Sequence, residues 1–162
     1  MHMPELIKNG RLIADRFISV DADAPLPDGP LIVPLARWQA QREALLARGQ
    51  ALGVQVANTT AAAELAADLP HLAVVAIEFP KFADGRGYTL ARLLRERFAY
   101  TGEIRAVGAV LRDQLFFMAR VGFDAFALRE DQDAEAALQA FSEFSVRYQP
   151  AADEPLPLYR RR

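Results

Sequence analysis

LAVVAIEFPKFADGRGYTLARLLRERFAYTGEIRAVG, residues 72–108, is the stretch on which the fold turns. Leu72 to Phe79 is a short apolar run rich in β-branched residues, the pattern of a strand covered on both faces. Thr89 to Ala99 has the period of a helix, and Ile104 to Val107 is again a short apolar strand. Strand, helix, strand over such a length is a βαβ unit, whose two strands run parallel because the helix carries the chain back to the starting end.

The same alternation extends in both directions. Strands are expected at Leu31 to Leu35, Val54 to Ala57, Leu72 to Phe79, Ile104 to Val107 and Phe123 to Leu128. Helices are expected at Ala36 to Arg48, Ala61 to Asp68, Thr89 to Ala99, Leu111 to Val121 and Glu135 to Ser145. Gly49 and Gly53 suit a helix end and the turn after it, Asn58-Thr59-Thr60 offers N-caps, and Asp68-Leu69-Pro70 stops a helix before proline. Upstream, Asn9-Gly10 between two apolar runs predicts an N-terminal β-hairpin within Glu5 to Val20, because both residues tolerate the positive φ of a type I′ turn. The Asp- and Pro-rich segment Asp21 to Pro30 reads as a linker.

The fold class expected is α/β in one domain. Residues 1–30 form the hairpin and linker, residues 31–149 the body, and residues 150–162 a C-terminal arm with a basic end. βαβ repeats build a mainly parallel sheet, either open and doubly wound or part of a β/α barrel. Five body strands are too few to close an eight-stranded barrel, which favours the open sheet.

A length of 162 residues fits one core, and a formal charge of −2 gives no basic footprint for nucleic acid. No apolar run has the length of a membrane span and no secretion signal is evident, so the expected location is cytoplasmic. With no cysteine, thiol redox couples and cysteine-held clusters or zinc are excluded. His2 and His71 are the only imidazoles, too few for a multi-histidine metal site, and no cofactor motif is evident.

Ligands of parallel sheets meet the carboxyl ends of the strands. That rule selects Lys81, Asp84, Gly85, Arg86, Gly87 and Tyr88, after the central strand, and Arg112, Asp113 and Gln114, after the next one. Glycines let backbone N–H groups approach a ligand, arginines offer a planar fork, and a helix N-terminus adds partial positive charge: together, an anion site. The same residues would also make a tight surface turn with a solvated arginine. Glu78 and Asp113 are the candidate acid–base carboxylates; the plainer readings are an ion pair of Glu78 with Lys81 or Arg86, and ordinary dipole complementation for Asp113. The Leu111 to Val121 helix, apolar nearly all round, belongs in the core or against another subunit.

FPKFADGRGYTLARLLRER at residues 79–97 and GEIRAVGAVLRDQLFFMARVGFDAF at residues 102–126 resemble the signature of a bacterial domain-of-unknown-function family, number 934. VPLARW at Val33 to Trp38 shares its character. Proteins of that family are often labelled probable oxidoreductases of sulfite reduction. The resemblance implies an accessory role in assimilatory sulfate and sulfite reduction, with sulfite reductase or its electron donor as partner. Two other functions fit the residues: a small-molecule enzyme or sensor of a sulfur oxyanion or phosphate ester, and a structural homodimer module.

Overall fold

The computed structural model describes residues 5–80, 85–128 and 133–139. β1 (Glu5–Lys8) and β2 (Arg11–Ala14) form the antiparallel hairpin, and Asn9 and Gly10 take φ values of 52° and 77° in its turn. β3 (Ile18–Ser19) does not continue the hairpin but pairs in parallel with β4 (Leu31–Pro34). α1 (Leu35–Ala47), β5 (Leu52–Ala57), α2 (Ala62–Leu65), β6 (Val74–Phe79), α3 (Gly85–Glu96), β7 (Glu103–Gly108), α4 (Leu115–Val121) and β8 (Ala125–Phe126) follow. Short 3-10 turns stand at Leu69–His71 and Arg112–Gln114, and residues 134–139 are helical.

The eight strands form one sheet in the order β2-β1-β8-β7-β6-β5-β4-β3. β3 to β8 are all parallel and lie in chain order, with no reversal of the kind that defines a doubly wound sheet. Of the two arrangements, the partial β/α barrel is therefore the one present. Its curl follows from chain length. A flat sheet would hold its edge strands about 34 Å apart at about 4.8 Å per strand. Here β2 and β3 are those edges, yet four residue steps, Ala14 to Ile18, join them and reach at most about 14 Å. The sheet has to bend until its edges approach.

The curl gives the two faces different contents. The helices pack on the outer face over Leu31, Val33, Val54, Val56, Val75, Ile77, Ile104 and Ala106, joined by Trp38, Leu45, Leu65, Leu90, Leu94, Leu115 and Met118 from the helices. Among the described residues the concave face carries a small apolar cluster, Ile32, Val74 and Ala76 with Phe17 and Val107. Beside it the Arg105 guanidinium, 3% exposed, meets Glu103 at 2.6 Å and Asp15 at 2.7 Å, and Lys8 meets Glu103 at 2.9 Å. Asp15 lies on the β2–β3 connection, so this ionic cluster ties the closing segment to β7 and β1 across the interior.

Several local expectations are corrected. The second helix is one α-turn followed by a 3-10 turn, and its N-cap is Ala61 with no side-chain cap, not a residue of Asn58-Thr59-Thr60. Gly53 lies inside β5, where a Cβ would stand 2.7 Å from that of Val74, while Gly49 does take the left-handed turn at φ 67°. α3 begins at Gly85, four residues before the expected Thr89. Arg112–Gln114 is a 3-10 turn ahead of α4, and only Leu115 and Met118 of α4 are fully buried. The C-terminal arm and residues 140–145 of the last expected helix lie outside the described residues.

Candidate functional site

β6 and β7 are parallel neighbours whose last residues, Phe79 and Gly108, stand opposite each other. The segments leading to α3 and to the Arg112–Gln114 turn therefore leave from one carboxyl rim. Gly108 lets the backbone turn sharply there: at φ 89° a Cβ would lie 2.6 Å from the Phe79 carbonyl oxygen, which accepts from Ala109 N–H at 2.7 Å.

Gly85, Arg86, Gly87 and Tyr88 form the first turn of α3, with Gly85 and Arg86 exposed. Gly87 is buried, and an added Cβ would lie 2.6–2.8 Å from three atoms of the Phe79 ring. Its lack of a side chain thus has a packing cause, whatever its N–H does. Tyr88 joins the two rim segments: its ring sits 5.6 Å from that of Phe79 and edge-on, 5.0 Å, to that of Phe117 on α4. Burial raises the Tyr88 hydroxyl above its ordinary pKa of 10.0, so at neutral pH it is a proton-bearing donor.

Arg112 and Asp113 are exposed, and their charged groups are 3.9 Å apart, too loose and too wet to hold the guanidinium in place. Beside them Gln114 Oε1 is buried, with no hydrogen-bond partner among the described residues. Lys81 and Asp84 lie outside the described residues. Glu78 is separated from this set by strand alternation. Phe79 faces the helices, so Glu78 faces the concave side, between Ala57 and Val107 of the neighbouring strands. Among the described residues none pairs with its carboxylate, Arg86 included.

A model of the family described as bacterial protein of unknown function (DUF934) matches residues 53–159. The chain belongs to this family. The match contains the whole rim from β5 to α4 and leaves out the hairpin, β3 and β4. No curated protein matches the sequence.

Some polar groups of this DUF934 protein were not visible to the sequence. Glu103 and Arg105 lie within an expected strand region, and only the curl shows that they meet Asp15 and Lys8. Asn58, at the carboxyl end of β5, is 4% exposed, and its Nδ2 has no hydrogen-bond partner among the described residues. Arg95 is a structural clamp at the opposite end of the sheet: it donates to the carbonyls of Tyr100, Gly102 and Gly122 at 2.7–3.0 Å and lies 3.3 Å from Asp124. Among the described residues no group of three His, Cys, Asp or Glu is placed to hold a metal ion, and no helix is long and apolar enough to cross a membrane.

Proposed function

We propose that this DUF934 protein is an accessory protein of assimilatory sulfite reduction that holds a small anion, a sulfur oxyanion, on the helix side of the carboxyl rim. The opposed ends of β6 and β7 carry this reading, because they bring the first turn of α3 and the Arg112–Gln114 turn to one rim. Four features suit the ligand. α3 spans 12 residues and turns its first-turn N–H groups and partial positive charge toward the rim at its start. Arg86 and Arg112 each carry a forked donor, and the Tyr88 hydroxyl keeps its proton. Gln114 Oε1 asks for a donor, which a protonated oxyanion or an anion with a hydroxyl supplies.

The link to sulfite reduction rests on the family resemblance, and the lack of cysteine favours a binding role over thiol electron transfer. Catalysis on a sulfur oxyanion or phosphate ester is the weaker alternative, because Glu78 points to the other face of the sheet from Arg86. Calorimetry with sulfite, sulfate and phosphate tests the site. Wild type is expected to bind at least one of them, and the Arg86→Ala/Arg112→Ala double variant to bind about tenfold or more weakly. Equal binding by both proteins would remove the site. Affinity capture from the native host is expected to recover sulfite reductase or its electron donor, and repeated recovery of neither would remove the accessory role.

A further inference from the structure

The concave side of the same rim holds a pocket of about 210 Å³ that has no part in the anion site. Its polar walls are Ser19 at the end of β3, Asp21 just beyond, Gln55 on β5 and Glu78 on β6; Ile32 and Pro34 of β4 supply apolar surface. The β2–β3 connection creates it, since β3 reaches the far edge of the sheet only because the barrel curls. Val20 N–H bonds the Ile32 carbonyl at 3.0 Å, and Arg37 bonds the main-chain carbonyl of Asp21, fixing that wall.

We propose that this pocket binds a small organic cation: a protonated amine on a short hydrocarbon body. Two carboxylates, a carboxamide and a hydroxyl line it, and among the described residues no lysine or arginine does. Arg37, which braces that wall, turns its guanidinium to the Asp21 carbonyl and the Gln41 side chain. Glu78 stands between Ala57 and Val107, so its strand neighbours offer it no countercharge. An ammonium group supplies that charge and three N–H donors, which match the acceptors of the carboxylates, the carboxamide and the hydroxyl. The size fits as well: the volume equals about seven waters at about 30 Å³ each, room for a chain of a few carbons. A bare divalent cation fits less well, because it seeks six or more oxygen ligands and gains nothing from Ile32 and Pro34.

The two sites are distinguishable because they lie on opposite faces of the sheet and take ligands of opposite charge. The test titrates the full chain, ¹⁵N-labelled, with 1,4-diaminobutane and separately with sodium sulfate at matched ionic strength. The diamine is expected to shift the Ser19, Gln55 and Glu78 amides saturably, with a dissociation constant on the order of 1 mM. Glu78→Gln, which keeps shape and removes charge, is expected to weaken it about tenfold, as is Asp21→Asn in the exposed linker, while Arg86→Ala leaves it unchanged. No saturable shift with the diamine, or unchanged binding by both charge-removing variants, would overturn the proposal. The sulfate arm reports on the rim site alone, so either site can fail without the other.

Discussion

Gly87 separates a packing role from a ligand role most sharply. In Gly87→Ala the new methyl carbon would stand 2.6, 2.7 and 2.8 Å from Cζ, Cε1 and Cε2 of Phe79, well inside contact distance. Phe79 has no room to retreat: it is 1% exposed, with its ring 5.6 Å from that of Tyr88 and 5.7 Å from that of Phe123. Alanine gains up to about 1 kcal/mol in helix propensity over glycine. Overpacking a close-packed core costs about 1–3 kcal/mol and more where a ring is pinned. The overlap wins, and the expected net loss is about 2 kcal/mol, or about 4–8 °C in Tm for a chain of this size. Urea unfolding of Gly87→Ala, Phe79→Leu and the double variant measures it. The double variant is expected to be more stable than the sum of the singles by about 1 kcal/mol or more, because the smaller side chain vacates the space the methyl needs. A neutral or stabilising Gly87→Ala, or strict additivity, would refute the packing account and leave backbone approach to a ligand as the reason for glycine.

Three further outcomes follow from the geometry. Arg95→Ala strips three carbonyls and the Asp124 carboxylate of a buried donor and is expected to cost about 3 kcal/mol in chemical denaturation. Ala99 sits at φ 55° beyond the end of α3, so Ala99→Gly is expected to raise stability by about 1 kcal/mol in the same assay. Burial holds the Tyr100 hydroxyl, bonded to the Leu72 carbonyl at 2.8 Å, above its ordinary pKa of 10.0. The unfolded phenol loses its proton first, so stability is full below about pH 10 and falls as pH rises beyond it; Tyr100→Phe is expected to make that decline shallower in pH-dependent thermal melts.

The body of the fold was legible because β4 to β8 and their helices each carry a local period, and chain order alone makes parallel strands of them. The hairpin was legible from Asn9-Gly10. What escaped depends on contacts distant in sequence. β3 has two residues and no pattern of its own, and its place beside β4 follows from the curl. Arg105 lies inside an expected strand, but nothing near it in sequence names its partner Asp15, 90 positions away. Gly85 and Gly87 read as loop by propensity, yet they open α3; at Gly87 the Phe79 ring occupies the space a side chain would take, whereas a Cβ at Gly85 would meet nothing within 4 Å. For the site, the rule of strand carboxyl ends located the rim. It did not separate the rim's two sides, and Glu78 divides from Arg86 by the pleat alone.

A crystal of the protein soaked in sulfite tests the proposed anion site most directly. Density is expected at the helix side of the rim, against the first-turn N–H groups of α3 and the guanidinium groups of Arg86 and Arg112. Full occupancy elsewhere with that rim holding only water would contradict it.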